Sequence, residues 1–313
     1  MSHFTEKKSI LALSGIFTII FITIAGCITP TPQPVPTGTI TATPVIATPG
    51  VSVTPVPGSD LIVHFIDVGQ GDSMLVQSGG KNMLIDAGTL DSGSTVTSYL
   101  KEHGVSTIDV LVSTHPHSDH IGGMAEVLNA FPVKVIYDSG VPHTTQTYER
   151  YLTLIDQKDI KYVVPEPGDM IDFAPGVVVQ VLAVAGNYED LNDRAIVLRL
   201  THGGVSFLFM ADAGFDVEGD LLKSGYNLQS DVLKVGHHAS KYSSGTSFLK
   251  VVQPKIAVIE VGAGNPYGHP TREAMNRLEA AGATIYRTDY DGDVVVTSDG
   301  KGITVVAERR APA

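Results

Sequence analysis

The chain has 313 residues, 43% of them hydrophobic, which is enough apolar material for a sizeable core. The formal net charge of −12 and the pI of about 5.3 argue mildly against a protein that coats nucleic acid through a basic face. A single cysteine, Cys27, excludes an intramolecular disulfide.

Residues 1–27 contain the parts of an export signal. Lys7 and Lys8 precede an apolar run over residues 10–24, and small residues then lead to Cys27. The stretch "IAGC" at the end resembles the lipobox of lipoproteins, in which the cysteine is lipidated and becomes the new N-terminus. The alternative is an uncleaved anchor helix with an incidental cysteine, because the run is only slightly short for a membrane span. Either interpretation predicts an extracytoplasmic protein that is anchored to the cell membrane, through a lipid in the favoured one.

A stalk and one domain are predicted to follow. Residues 28–58 carry no charge and are dominated by Thr, Pro and Val. Repeated prolines exclude a helix and favour extended polyproline II, so this segment is predicted to be a semi-rigid stalk. Residues 59–313 have a length within the range of a single α/β domain. Without Glu6, Lys7 and Lys8, the exported part has 32 acidic and 19 basic residues, which is a net charge of −13.

Strands open this domain. The runs "LIVHFIDVG", "DSMLVQS" and "KNMLIDAG" are predicted to form three antiparallel strands joined by glycine-containing turns. The short helix "TVTSYLKEHG" ends at Gly104. The apolar, β-branched strand "IDVLVSTH" should be buried, and the helix "IGGMAEVLNAF" follows it. A strand at 133–138 and a helix at about 146–157 continue the alternation.

The second half mixes hairpins with strand–helix alternation. Strands are predicted near 161–165 and 177–184, and "DRAIVLRLTHGGVSFLFMADA" is a hairpin around its two central glycines. The strand "SDVLKVGHH", a helix near 246–252, the strand "KIAVIEVG", the helix "TREAMNRLEAAG", the strand "TIYRTD" and the hairpin "GDVVVTSDGKGITVVAE" complete the domain. This mixture predicts mixed sheets covered by helices and excludes a pure doubly wound sheet.

Four metal-binding side chains lie within six residues at the end of the buried strand: His115, His117, Asp119 and His120. His115 and His117 project to the same side of an extended chain and can share one cation, whereas the other two lie in the following turn and can reach a second. This edge of an α/β fold is where ligand chemistry is usually placed. Imidazole and carboxylate suit zinc, and also manganese or iron. A polar loop with a capping histidine is the alternative, but it does not explain four such side chains together.

The spacing HxHxDH, followed by Gly122 and Gly123, resembles the signature of the metallo-β-lactamase superfamily. Segments from about residue 60 to residue 300 are similar to that superfamily in chain order. The stretches "DVGQGDS", "LKVGHHAS" and "NPYGHP" resemble, more specifically, the extracytoplasmic domain of ComEC-type DNA-uptake competence proteins and their stand-alone relatives. The resemblance implies an α/β fold of the αββα type, with two mixed β-sheets packed face to face and helices on the outer faces. It also implies two divalent metal ions, zinc or manganese.

The same resemblance implies roles for individual residues. The implied ligands are His115 and His117 for metal one, Asp119 and His120 for metal two, Asp212 as the bridge between them, and His269 as the last ligand of metal two. A histidine in a simple Gly-His-Pro turn is the alternative for His269. Asp86, in "MLIDAG", would hydrogen-bond a ligand histidine and set its tautomer.

One departure from the superfamily pattern concerns metal one. The superfamily supplies a third histidine about twenty residues before the bridging aspartate, but the sequence there reads "EDLNDRA". Asn192 and Asp193 are the candidate replacements. An amide oxygen is a weaker zinc ligand than imidazole, so metal one is expected to be loosely held or to be manganese. The ComEC-type domains resemble this sequence at the same point.

Two adjacent histidines follow the strand "DVLKV". One is expected to face the site and the other to pack outward; His237 is favoured as a substrate contact or general acid, and His238 stays open as the alternative. Asp119 is counted with the catalytic residues as well as with the ligands. Lys234 is expected to face solvent, with a contact to a substrate phosphate as the alternative. Arg194 could meet an anionic substrate.

The other polar residues that the sequence singles out are interpreted mainly as structural. Asp67 and Asp72 are expected to form turns near the rim of the site, with a role as metal ligands as the alternative. His202 is expected at the opposite end of its hairpin, and three further histidines are taken as structural: His64, His103 and His143.

These features predict a surface-anchored, metal-dependent hydrolase of phosphodiesters, with DNA among the candidate substrates. A metal-bridged hydroxide would attack, and a histidine would protonate the leaving group, a step worth ~10²–10⁴-fold. A lactonase or β-lactamase is one alternative, and a non-catalytic binding protein or DNA-uptake accessory is another. This sequence shows no membrane channel, so a role in DNA uptake would need a channel protein as a partner.

Overall fold

The computed structural model describes residues 60–309. The predicted signal sequence, Cys27 and the 28–58 stalk lie outside these residues, so the interpretations given for them stay predictions. Within the described range no helix has both the length and the apolar character needed to cross a membrane.

The first part of the domain contains six strands and four helices. The strands are β1 (Leu61–Phe65), β2 (Met74–Ser78), β3 (Lys81–Ile85), β4 (Val110–Ser113), β5 (Val135–Asp138) and β6 (Lys161–Val163). The helices are α1 (Gly93–Glu102), α2 (Ser118–Ile121), α3 (Met124–Ala130) and α4 (Gln146–Gln157). The helix predicted from "IGGMAEVLNAF" is therefore two helices, which are separated at Gly122 and Gly123.

The second part contains nine strands and four helices. The strands are β7 (Met170–Ile171), β8 (Val177–Ala183), β9 (Val197–His202), β10 (Val205–Phe209), β11 (Val232–Lys234), β12 (Ile256–Ile259), β13 (Thr284–Arg287), β14 (Val294–Ser298) and β15 (Ile303–Ala307). The helices are α5 (Phe215–Leu221), α6 (Thr246–Val252), α7 (Arg272–Ala280) and α8 (Thr288–Asp291). The sequence did not predict β7 or α8, because two and four residues carry no usable periodicity.

Two mixed sheets are formed. The first has the order β15-β14-β1-β2-β3-β4-β5-β6 and the second has the order β13-β12-β11-β10-β9-β8-β7. In the first sheet β1, β2 and β3 pair antiparallel, as predicted, and β3 to β6 pair parallel. In the second sheet β7 to β10 pair antiparallel and β10 to β13 pair parallel.

The sheets enclose one core, and helices cover their outer faces. Strand β4 shows the pattern: Val110 and Val112 belong to the core between the sheets, whereas Leu111 packs with helices α1, α3 and α4. Helices α5, α6 and α7 cover the second sheet in the same way. Both faces of these strands are covered, which is why "VLV" in β4 and "VL" in β11 are apolar runs without alternation. The predicted αββα sandwich is confirmed.

The topology brings several strand ends together. Strands β3 and β4 of the first sheet and β10, β11 and β12 of the second belong to the parallel parts of their sheets. The carboxyl ends of parallel neighbours lie at the same edge, and ligand chemistry in α/β folds is found there. Every metal ligand implied by the sequence follows one of these strands, except Asn192 and Asp193, the candidates to replace the third histidine of metal one.

Candidate metal centre

Two groups of potential metal ligands share one aspartate, and a third group, Asp72, Asp86 and His120, shares His120 with the second of them. His115, His117 and Asp212 make up the first group, and Asp119, His120, Asp212 and His238 make up the second. Each residue offers one ligand atom, and within a group these atoms lie within 4.8 Å of one another. Asp212 directs Oδ2 to within 3.8 Å of His115 Nε2, and Oδ1 to within 3.3 Å of His120 Nε2. One carboxylate thus presents one oxygen to each group, which is the arrangement of a bridging ligand.

The second group contains polar atoms that the protein itself leaves without partners. His120 Nε2, His238 Nε2 and Asp212 Oδ1 are buried and accept or donate no hydrogen bond. His238 Nε2 lies 3.5 Å from that oxygen and 3.4 Å from Asp119 Oδ2. Buried polar atoms without partners are costly and rare in folded proteins. Imidazole nitrogens and carboxylate oxygens that converge in this way fit a divalent cation such as zinc or manganese.

Asp86 fixes the histidine loop. Its Oδ1 accepts a hydrogen bond from Thr114 N (2.9 Å) and its Oδ2 accepts one from Thr114 Oγ1 (2.6 Å), so the carboxylate holds the chain as it leaves β4. Asp86 Oδ2 also lies 2.8 Å from His120 Nδ1. This bond places the proton on Nδ1 and leaves Nε2 as the ligand atom. The sequence assigned this positioning role to Asp86, and the structure provides the contact for it.

His237 and His238 both line the same cavity, so the expectation that one packs outward is wrong. The physical reason is the backbone. His237, His238 and Ala239 all have positive φ values of 49°, 48° and 61°, a left-handed turn that places consecutive side chains on one side. The expectation assumed an extended chain, in which neighbours alternate. Left-handed conformations at residues other than glycine are strained and cluster at functional sites.

His238, which the sequence left open, contributes a potential ligand atom to the second group. His238 Nδ1 lies 2.8 Å from the carbonyl oxygen of Glu260, which leaves Nε2 to face Asp119 and Asp212. His269 belongs to none of the donor groups found among residues 60–309. Its ring lies 5.5 Å from that of His237, in the cavity wall.

A buried charge cluster lies beneath the second group. Lys234 is fully buried and is paired with Asp72, and its Nζ also donates to the Ala211 carbonyl (3.1 Å), next to Asp212. The expectation that Lys234 faces solvent is wrong, and its burial leaves no route to a substrate phosphate. Asp72 was expected to be a turn former, but its Oδ1 lies 3.4 Å from His238 Nδ1. Glu260, which the sequence did not single out, is fully buried beside them.

A cavity of about 260 Å³ opens onto the two donor groups. Its wall includes ligand candidates and other polar side chains: His117, Asp119, Asn192, Asp212, His237, His238, Tyr267 and His269. Asn192 Oδ1 is buried without a hydrogen-bond partner, so it is available as a ligand atom in the cavity that it lines together with His117. Asp193 instead accepts a hydrogen bond from Gly214 N (2.7 Å). Arg194 donates from Nε to the Tyr188 carbonyl (2.6 Å) and does not line this cavity.

The electrostatics of the centre favour a bound cation. Burial and the neighbouring His120 lower the pKa of His115 well below its usual value, so this ring is neutral and free to coordinate. Burial also opposes a charge on His120, but the carboxylates of Asp212, Asp72 and Asp86 outweigh it and raise the pKa of His120 well above its usual value. The carboxylates therefore attract positive charge into the cluster. A divalent cation supplies that charge in place of protons.

The chain is similar to known proteins of one family. The metallo-beta-lactamase superfamily model matches residues 66–262. The chain is 34% identical over 245 residues to Competence protein ComA of Neisseria gonorrhoeae, a match that covers 76% of this chain and 32% of that protein. It is 28% identical over 251 residues to ComE operon protein 3 of Bacillus subtilis (strain 168), covering 74% of this chain and 32% of that protein. The chain thus spans about a third of the length of these two relatives.

A solved structure agrees with the fold. The metallo-beta-lactamase fold protein YhfI from Bacillus subtilis superposes with a TM-score of 0.53 at 15% identity, and the match covers 76% of this chain and 100% of that one. At this identity the likeness concerns the fold alone. Because the family model matches more than half of the chain, this protein belongs to the metallo-β-lactamase superfamily, with homologues among the ComEC-type competence proteins.

Proposed function

We propose that the protein hydrolyses phosphodiesters with the help of two divalent metal ions, zinc or manganese. The metallo-β-lactamase fold and its cluster of histidines and aspartates belong to a metal-dependent hydrolase. The observation that carries the narrower proposal is the sharing of Asp212 by the two donor groups. Two cations held a few ångströms apart acidify water and neutralise the charge that develops on both oxygens of a displaced phosphoryl group.

The composition of the first group favours an anionic substrate. Two imidazoles, from His115 and His117, and one carboxylate oxygen face this position, and the amide of Asn192 lines the same cavity. A weak donor leaves positive charge uncompensated, so phosphate oxygens would complete the coordination better than a neutral lactone or amide oxygen. This chemistry counts against the lactonase or β-lactamase alternative. The paired donor groups also count against a non-catalytic binding protein.

His237 lies where a general acid is needed. Its side chain is 26% exposed and lies in the cavity wall, and its Nε2 is 4.0 Å from Asp212 Oδ2. It belongs to neither donor group, so its imidazole stays available to protonate a leaving oxygen. General acids of this kind contribute ~10²–10⁴-fold to a rate. Asp119, in contrast, acts by holding the second cation together with His120 and His238.

The cellular setting is part of the proposal. The lipobox-like "IAGC" supports a lipid anchor at Cys27 and an extracytoplasmic location at the cell membrane. The names of the competence-protein relatives support DNA as one candidate phosphodiester, with a separate DNA-uptake channel as the partner.

The test is hydrolysis by the purified full-length chain, supplied with zinc or manganese, on four substrates: an activated phosphodiester, a DNA oligonucleotide, a lactone and a β-lactam. The proposal expects the phosphodiester to be cleaved fastest and Asp119→Ala or Asp212→Ala to abolish most of the activity. Asp156→Ala, which removes an exposed carboxylate from helix α4, is the matched control. Preference for the lactone or the β-lactam would overturn the phosphodiesterase assignment.

A further inference from the structure

A buried ion pair lies beneath the metal centre and joins the two sheets. Asp72 and Lys234 are both fully buried, and Asp72 Oδ2 accepts a hydrogen bond from Lys234 Nζ. Asp72 lies in the loop between β1 and β2 of the first sheet, whereas Lys234 ends β11 of the second. Neither side chain lines the cavity at the metal centre. Any effect of this pair on the reaction therefore passes through other residues.

The first link runs through the backbone to Asp119. Asp72 N donates to the Asp119 carbonyl oxygen (3.1 Å), and the Asp72 carbonyl oxygen accepts from Gly88 N (2.8 Å). Gly71 permits this close approach, because its φ is 152° and a Cβ atom there would overlap the Asp119 carbonyl oxygen. The loop that carries the buried carboxylate is thus attached directly to the turn that carries Asp119.

The carboxylate of Asp72 also faces the two histidines of the second donor group. Its Oδ1 lies 3.4 Å from His238 Nδ1, and its Oδ2 lies 3.8 Å from His120 Nδ1. Both nitrogens have closer acceptors, the Glu260 carbonyl oxygen and Asp86 Oδ2, each at 2.8 Å. The negative charge of Asp72 therefore supports a proton on each Nδ1 without replacing its hydrogen bond. Each Nε2 is left to coordinate.

Lys234 provides the link to Asp212. Its Nζ donates to the Ala211 carbonyl oxygen (3.1 Å), which also accepts from His237 N (2.9 Å). Ala211 has a positive φ of 46°. This conformation is strained for a residue with a side chain and persists only where contacts hold it. The ammonium group therefore supports the turn that directs Asp212 into the donor groups.

The first donor group depends on other contacts. His115 Nδ1 lies 3.1 Å from Thr114 Oγ1, and His115 Nε2 lies 3.1 Å from His117 Nδ1. This group is linked to the buried pair through the shared Asp212, whereas all four members of the second group are linked to it. Apolar side chains of similar volume often stabilise a fold as well as a buried ion pair does. Stability alone therefore does not account for the pair.

We propose that Asp72 and Lys234 are positioning residues for the second metal ion. They hold the backbone of Asp119, the Nδ1 sides of both histidines and the turn before Asp212, so that the four ligand atoms converge. Contacts of this kind, made to ligands and not to the metal, typically contribute 10–100-fold to metal affinity. The inference rests on the two-metal centre of the proposed function and is independent of the substrate that is cleaved.

The test measures zinc affinity at one position at a time, by competition with a chromogenic chelator. In the full-length chain, His117→Ala leaves the second position and His120→Ala leaves the first. Each of these backgrounds is combined with Asp72→Asn and Lys234→Met together, which leave no buried charge unpaired. At the second position zinc affinity should fall ~10–100-fold. At the first position it should stay within about three-fold of its background.

A second ion pair on the same strand supplies the matched control. Asp231 directly precedes β11, at the opposite end from Lys234, and its Oδ1 lies 2.8 Å from Lys255 Nζ. Asp231→Asn with Lys255→Met removes the same two charges away from the metal centre. This control should leave the zinc affinity of both positions close to that of the backgrounds.

The outcomes separate this inference from the proposed function. Unchanged zinc affinity at the second position would overturn the inference. An equal loss at both positions would also overturn it, because a merely structural role weakens both. A wild-type chain that binds no zinc would overturn the two-metal centre and this inference with it. Selective loss at the second position, in a chain that binds two zinc ions but cleaves no phosphodiester, would support the inference and contradict the proposed function.

Discussion

His120 Nε2 lies 3.3 Å from Asp212 Oδ1, and both atoms are buried without a hydrogen-bond partner. Asp86 holds the other nitrogen of the imidazole at 2.8 Å, so the ring cannot turn to satisfy Nε2 elsewhere. Two such atoms that face each other are candidate ligands for a divalent cation.

The two adjacent histidines should respond differently to substitution. His238→Ala removes a ligand atom of the second group, so the metal content should fall by about one ion per molecule, together with the activity. His237→Ala should lower kcat ~10²–10⁴-fold while metal content stays close to wild type, because its expected role is proton transfer to the leaving oxygen. Elemental analysis alongside kinetics separates the two roles. Loss of metal in the His237 variant would transfer that residue to the ligand set.

His237 and His238 also show which parts of the site could be predicted from the sequence. The ligand residues were predictable because a short motif holds four of them, and hydrophobic runs with glycine turns indicated the two mixed sheets. The direction of His237 and His238 was not predictable, since three consecutive left-handed residues override the alternation expected of extended chain. Asp72 was taken for a turn former because its partner, Lys234, lies 162 residues away in the sequence. Only the folded topology brings them together.

Replacing the buried lysine should destabilise the protein strongly. Lys234→Met leaves the carboxylate of Asp72 buried and unpaired, at a cost of ~3–5 kcal/mol in the free energy of unfolding. The double variant Lys234→Met/Asp72→Asn should recover much of this loss, because no uncompensated charge remains. Urea unfolding of the metal-free chain measures both. Lys223→Met, which breaks an exposed pair with Asp220, is the control and should have little effect. A Lys234 variant as stable as this control would contradict the buried pair.

Stability should depend on pH through Glu218. This side chain, on α5, accepts hydrogen bonds from Ser244 N and Gly245 N at the start of α6, and burial raises its pKa from 4.5 to about 7. The folded state therefore binds the proton more tightly than the unfolded state does. The stabilisation is complete below about pH 4.5 and is lost as the pH rises through about 7, amounting to ~3 kcal/mol over that interval.

Glu218→Gln supplies the comparison, because it keeps the shape and cannot ionise. Free energies of unfolding of the metal-free chain, measured at several pH values between about 5 and 8, should fall less steeply with pH in the variant than in the wild type. Parallel pH profiles would show that Glu218 does not titrate in this range.

The anchor is tested by the N-terminus of the mature protein. Cys27→Ser should leave a precursor that is neither lipidated nor normally processed, because the lipid is attached to the cysteine sulfur. Membrane fractionation and mass spectrometry of the N-terminal peptide decide the outcome. An unprocessed N-terminus in the mature wild-type protein would contradict the lipoprotein assignment.

The most direct test of the central claim is the number of metal ions bound by the wild type and by one variant from each donor group. The full-length chain, purified and supplied with zinc or manganese, should bind two ions, the one beside His117 more weakly because Asn192 stands where a third imidazole is expected. His117→Ala should lose the first ion and His120→Ala the second, while His103→Ala, which alters an exposed histidine outside both groups, should keep both. Two ions in the wild type and one in each ligand variant is the result this account predicts. A wild-type chain that binds no ion under any supplied metal would contradict it.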